Sequence, residues 1–282
     1  MASPSRAIAE PAPSWQPEKI PPFPAVALKA LKLIAGTDSS LIELCNLIRV
    51  DAGFSSEILR IANSPLIAFP KTITNILQAS MLLGFQRLRK IVLTVGLHEY
   101  LHGNFTPVLQ SCWRHSLATA LIAERAATWC GLDKEFAHTA GVLHDIGRIA
   151  LAVSMPKLYD KVVEKGAELP LEVLQIEREL CGLDHCEAGR TLVTNWGLPE
   201  AFLSTTACHH NSSAAMHGSA SLLPPSCLLA DMLGFSVTKY RSSRSYADAL
   251  AGFSQAMRGR FPADAKQLHS EIANEIKLLE TP

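Results

Sequence analysis

Apolar residues in this 282-residue chain recur every three or four positions, and nowhere do they alternate with polar ones for the length of a strand. Ala27, Leu28, Leu31 and Ile34 open the pattern, and Gly36 stops it. Ser39 or Ser40 can cap a second segment that turns Leu44, Leu47 and Ile48 inward. A third runs over about Ser55–Asn63 and ends before Pro65. A fourth, Ile73–Leu83, ends at Gly84, and a fifth spans Gln86–Tyr100. After a loop at Gly103–Pro107, Leu117, Leu121, Ile122 and Trp129 give Cys112–Cys130 a core face, with Gly131 as its stop. Asp133 can cap the next helix, which runs to about Asp145. Asp184 and Glu187 form a capping-box pair for a helix ending at Gly197. Pro199 suits the first turn of a helix carrying His209 and His210. Residues 211–226 read as a loop, Leu228–Leu233 resumes the helical pattern, and amphipathic stretches follow at Tyr246–Met257 and Ala265–Leu279.

The pattern predicts an all-α fold of two contiguous helical bundles, residues 20–105 and 106–215. Residues 216–282 form a C-terminal helical extension completing the second bundle. Residues 1–19, with Pro4, Pro11, Pro13 and Pro17 among Ala and Ser, read as a disordered, dispensable tail.

Lys+Arg and Asp+Glu are 26 each, so no net charge draws the chain toward nucleic acid or an anionic membrane. Arg87, Arg89 and Lys90 make a local basic cluster, for which a solvated helix face is the simpler reading. The seven cysteines, Cys45, Cys112, Cys130, Cys181, Cys186, Cys208 and Cys227, are scattered and contain no CxxC pair. They read as small packing residues in a reducing compartment, Cys208 beside His209 included. No stretch resembles a secretory signal or a membrane span, so a cytoplasmic location is expected.

The chemistry-bearing residues are histidines and aspartates. His144-Asp145 closes a helix, and adjacent imidazole and carboxylate donors suit Fe, Mn, Co or Zn better than Ca. Ala137, Ala140 and Gly141 on the approach to His144 allow a neighbouring helix close contact. A core-edge histidine bonded to backbone, with Asp145 as a cap, fits the same dipeptide. His115 lies on the apolar side of an upstream helix, as a core histidine or a buried ligand would. His185 falls in a first turn, where the helix dipole favours neutral imidazole, although Asp184 could be a plain cap and His185 an exposed bystander. Asp231, inside Leu228-Leu229-Ala230-Asp231-Met232-Leu233, needs a cation, a donor or a capping role.

The order His115, His144-Asp145, Asp231 resembles the H…HD…D pattern of HD-superfamily metal phosphohydrolases. His185 and His209-His210 resemble the added ligands of the HD-GYP branch, whose members cleave cyclic dinucleotides. The wider likeness is to HDOD domains. It is carried by Pro21-Pro22-Phe23-Pro24-Ala25-Val26, Ile58-Leu59-Arg60-Ile61-Ala62-Asn63-Ser64, Ile76-Leu77-Gln78-Ala79, Leu82-Leu83-Gly84 with Leu88-Arg89, Trp113-Arg114-His115-Ser116, Ala140–Gly147 and Trp196-Gly197-Leu198-Pro199. It covers residues 20–215. The resemblance implies a bacterial signal-transduction module with an HD-like second bundle, acting on an unidentified signalling protein or nucleotide without strong catalysis. The alternative it implies is a metal-dependent phosphodiesterase. His115, His144, Asp145 and Asp231 would then hold one divalent transition metal and His185, His209 and His210 a second, with Asp145 and Arg148 as the catalytic pair. Two departures weigh against the alternative: Arg148 stands where HD-GYP enzymes carry Lys, and Asn211-Ser212-Ser213 follows His210 in place of a Gly-Tyr-Pro element.

Overall fold

A computed structural model of the chain describes residues 27–30, 41–64, 72–102, 106–168, 173–210, 216–238 and 245–280, with positions 15, 17, 20 and 70. Among these residues there is no strand. Residues 27–30 are helical. The named helices are α1 (Leu41–Arg49), α2 (Ala52–Ala62), α3 (Ile76–His102), α4 (Pro107–Cys130), α5 (Lys134–Leu143), α6 (Ile146–Ser154), α7 (Pro156–Glu168) and α8 (Val173–Cys181). There follow α9 (His185–Asn195), α10 (Ala201–Cys208), α11 (Leu223–Ala230), α12 (Tyr246–Leu250), α13 (Gln255–Arg258) and α14 (Ala265–Glu280). A 3-10 turn, Gly218–Leu222, leads into α11, and a π turn, Asp231–Phe235, leads out of it.

Local chemistry sets the ends. Asp51 caps α2 through Phe54 N–H, Thr106 caps α4 through Leu109 N–H with Pro107 at the first position, and Asp133 caps α5 through two amides. Gly131 ends α4 in the left-handed conformation, φ 67°. Gly84 at φ 74°, ψ 162° breaks α3 in two, which is the division the sequence predicts at that glycine.

Three expectations are corrected. The α4 helix begins at Pro107, a full turn before Cys112, because Thr106 and Pro107 supply the start. Residues 218–226 are helical, since Pro224 and Pro225 fall in the first turn of α11, where no amide donor is needed. Residues 146–183, passed over by the pattern, carry α6, α7 and α8. The proposed tail lies outside the described residues except for Trp15, half-buried against the core, and Pro17, whose carbonyl accepts from Ile20 N–H at 3.2 Å. The Ser39/Ser40 cap and the start of the 211–226 loop also lie outside them.

Buried apolar residues form one cluster that runs from Ile20 to Ile276. Helix α4 is its axis: α5, α11 and α14 all pack on it, with Trp113 fully buried. Small residues set the spacing. A Cβ at Gly141 would lie 2.4 Å from Ala120 Cα, so α5 meets α4 backbone to backbone. A Cβ at Gly147 would lie 1.9 Å from the His185 carbonyl oxygen, so α6 and α9 touch there. These two contacts bring His115, His144 and His185 toward one point. No described helix is long and apolar enough to cross a membrane.

Candidate metal centre

Between α5 and α6 the chain turns at His144-Asp145. Asp145 stands at the N-cap of α6 yet makes no capping bond with its side chain. Its carboxylate points into the interior instead, and imidazoles surround it. Oδ1 lies 3.0 Å from His209 Nε2 and 3.3 Å from His185 Nε2, and the two Nε2 atoms are 3.3 Å apart. Oδ2 lies 3.5 Å from His115 Nε2 and 3.6 Å from His144 Nε2. Arg148, one turn along α6, places Nε 2.7 Å from Oδ2 and a terminal nitrogen 3.4 Å from His210 Nε2. Most of the assembly is dry: Asp145, His144 and His185 are 0% exposed, His115 1%, His209 3% and Arg148 5%, while His210 is half-buried at its edge.

The outer nitrogens of these rings are tied down. His144 Nδ1 bonds Gly141 O at 2.7 Å, and His209 Nδ1 bonds Thr205 O at 3.1 Å. A carbonyl only accepts, so both Nδ1 atoms carry a proton and both Nε2 atoms are turned inward. His185 Nδ1 donates to Glu177 Oε2 at 2.6 Å, which also accepts the His185 amide at 2.9 Å, while Tyr159 OH donates to Oε1 at 2.8 Å. His115 Nδ1 faces Asp231 Oδ1 at 3.2 Å. An outer carboxylate or carbonyl on each ring, with Nε2 turned inward, is the arrangement by which proteins orient histidine ligands of metal ions.

Charge follows from burial. Burial pushes His144 down to about 3 and His185 well below the ordinary histidine value, so both rings are neutral. Burial also disfavours ionised Asp145, but the Arg148 guanidinium and the hydrogen bond with His209 outweigh it and hold the carboxyl well below the usual range. Burial raises Glu177 to about 7. For His115, burial opposes the charged ring, and Asp231 overcomes it and raises the ring well above the ordinary value.

Two donor groups could hold a metal ion: Asp145 with His185, His209 and His210, and His115 with His144 and Cys227. Within each, the donor atoms lie inside 4.8 Å of one another. The chemistry fits. His185 Nε2, His209 Nε2 and Asp145 Oδ1 converge at 3.0–3.3 Å from one another, a cluster that a proton or a metal cation can join. Donors bound at about 2.0–2.1 Å in a tetrahedron are about 3.4 Å apart, close to the spacings seen. Buried His144 Nε2 has no hydrogen-bond partner.

Residues 20–212 match the model of the HDOD domain. The chain belongs to the HDOD domain family. A Treponema pallidum (strain Nichols) protein without assigned function is 25% identical over 196 residues, 69% of this HDOD chain and 38% of that relative, so the chain spans well under half of the relative's length. The fold is shared with an HDOD domain protein of unknown function from Geobacter sulfurreducens. That pair has TM-score 0.71 and 23% identity, covering 93% of this chain and 91% of that one. A structure from Shewanella amazonensis SB2B, described as a candidate phosphohydrolase, has TM-score 0.67 and 20% identity over 93% of each chain.

In the HDOD chain, the structure gathers His115, His144, Asp145, Arg148, His185, His209 and His210 around one carboxylate. His185 is wholly buried rather than an exposed bystander. Asp231 is placed behind His115, on its Nδ1 side, and enters neither donor group. Three contributors carry no sequence signal of their own. Glu177 sits in the charged run Glu177-Arg178-Glu179, Tyr159 stands among Lys157, Asp160 and Lys161, and Cys227 lies in an apolar stretch where it reads as packing.

Proposed function

We propose that this HDOD protein is a signal-transduction module that acts by binding a protein partner or a nucleotide, and that its histidine–aspartate centre is a structural and sensing element rather than a catalytic one. The observation that carries this reading is the Arg148–Asp145 contact in a sealed interior. A guanidinium 2.7 Å from Oδ2, with Asp145, His144, His185 and Arg148 all exposed at most 5%, stands between the carboxylate and a phosphoester. Arg148 cannot give up a proton at any working pH, so it steadies charge and transfers nothing. Asp145, His185, His209 and His210 would hold one divalent transition metal, with His115 and His144 serving a second position. Such an ion would tie α4, α5, α9 and α10 together and would add stability by mass action.

A cleft of about 560 Å³ on the outer side of His210, lined by Leu174, Arg178, Asp184, Cys186 and Arg190, supports the binding reading. His210 is shared between this cleft and the Arg148 contact, so a ligand there would bear on the centre.

The second reading, a metal-dependent phosphohydrolase, is favoured by the presence of two adjacent donor groups. The ions would supply Lewis acidity toward phosphoryl oxygens. The test is metal analysis of protein purified without chelator or histidine tag, thermal melts with and without added Mn or Fe, and turnover assays on cyclic dinucleotides and simple phosphate esters. We expect bound metal, a metal-dependent rise in melting temperature that Asp145→Ala abolishes, and no turnover above background. Hydrolysis by wild type that disappears in Asp145→Ala would replace this reading with the enzymatic one.

A further inference from the structure

We infer that Cys227 is a metal ligand, making the His115–His144 half of the centre a thiolate-containing site for a thiophilic divalent ion such as zinc or iron(II). The inference rests on the metal reading above and names which residue completes one half of it.

The geometry begins on α11. Cys227 and Asp231 stand four residues apart, one helical turn, and address the same ring from its two sides. Cys227 Sγ is 3.4 Å from His115 Nε2, and Asp231 Oδ1 is 3.2 Å from His115 Nδ1. Asp231 therefore orients the ring from behind, while the sulfur lies on the inward face. The second observation is His144, whose Nε2 is wholly buried without a hydrogen-bond partner and which has a ring nitrogen within 4.8 Å of the donor atoms of Cys227 and His115. In tetrahedral coordination with S and N bonds of about 2.3 and 2.0–2.1 Å, the sulfur–nitrogen edge is about 3.5 Å. The observed 3.4 Å matches that edge.

Charge selects the sulfur. Once bound to a metal, the His115 and His144 imidazoles are neutral ligands and do not balance a divalent ion. The nearest carboxylate oxygen on this side, Asp145 Oδ2, is already paired with Arg148 Nε at 2.7 Å. Asp231 is turned to the far nitrogen of His115. The thiol of Cys227 is the remaining group here that can supply an anion, by releasing its proton to solvent as the metal–sulfur bond forms. Imidazole with thiolate favours zinc or iron over magnesium, calcium or manganese.

The experiment is a cobalt(II) titration of the full chain, followed by absorption. Wild type should show visible ligand-field bands together with an intense near-ultraviolet sulfur-to-cobalt charge-transfer band. Cys227→Ser should lose the charge-transfer band, and Cys186→Ser, whose sulfur lies 4.0 Å from the tied-down Nδ1 of His209, should keep it. Cys227→Asp, which restores an anionic donor, should bind cobalt with visible bands and no charge-transfer band. Cobalt bound by wild type without charge transfer, or with a band that survives Cys227→Ser, would overturn the inference and leave a metal centre of nitrogen and oxygen donors. No cobalt binding at all would overturn both this inference and the metal reading beneath it.

Discussion

Glu177 accepts three hydrogen bonds inside the protein, from Tyr159 OH and from the amide and Nδ1 of His185, and so fixes which nitrogen of His185 faces Asp145. Glu177→Leu would orphan three buried donors, each costing about 1–3 kcal/mol, and should lower unfolding free energy by more than about 3 kcal/mol. Glu177→Gln keeps an acceptor for His185 and should fold, but with a less basic His185 its metal affinity should fall about 10–100-fold. Competition against a chromophoric chelator measures it, and an unchanged affinity would remove Glu177 from any orienting role. The histidines and Asp145 are legible in the sequence because their chemistry is unusual inside helices of apolar period. Glu177 is not, because a glutamate opening the run Glu177-Arg178-Glu179 looks like solvated surface until the tertiary fold buries it. Asp231 shows the converse: its type and order mark it, but only packing reveals that it stands behind His115.

The two glycines that bring α6 against α9 make opposite demands on the elements they join. A Cβ at Gly147 would meet the His185 carbonyl at 1.9 Å and Gly189 N at 2.6 Å, backbone atoms that cannot step aside. One at Gly189 would meet Thr206 Cβ at 3.4 Å and Gly147 N at 3.5 Å, ordinary contact. Gly147→Ala should therefore force α6 off α9, cost about 3 kcal/mol or more, and loosen metal by moving Asp145 from His185. Gly189→Ala, gaining helix propensity, should change stability by less than about 1 kcal/mol. Urea unfolding midpoints with metal content decide it, and equal effects at the two positions would contradict the packing described. Sequence reading saw half of this. Ala137, Ala140 and Gly141 announce a close approach, which occurs at Ala120. Helix α6 escaped because Ile146–Ala152 is buried all round, so it has no polar face to give a period. Pro224-Pro225 suggested a loop because proline marks a helix start as readily as a break.

For the whole molecule, the cost of folding these rings in the neutral form sets an acid limit. His144, pushed down to about 3, and His185 and His210, displaced in the same direction, refuse protons in the folded state that the unfolded chain accepts near pH 6.5. Their contribution is complete above about pH 6.5 and is lost as pH falls toward the folded values. Glu177 acts oppositely. Raised to about 7 against an ordinary 4.5, it binds a proton in the folded state first, so acidification between those values favours folding by one group. Three groups against one leave at most about 2–3 kcal/mol lost per pH unit between 6.5 and 4.5. Below that, Asp145 and Glu124, the latter held at about 2 by His138 and Lys90 against its burial, add to the loss as the unfolded carboxylates protonate. His115, raised by Asp231, adds stability that is full below about pH 6.5 and lost as pH rises through its folded value, so the optimum lies near neutrality. Guanidinium unfolding of metal-free protein should show a midpoint that falls steadily from pH 7 to pH 5. Bound metal should steepen that fall, because acid must then protonate the histidines that hold it. A midpoint that holds or rises at pH 5 would mean that the buried rings take up protons in the folded protein. The packing of inward-turned Nε2 atoms around Asp145 would then be neutralised by protons, and the argument for a metal cation among them would fail.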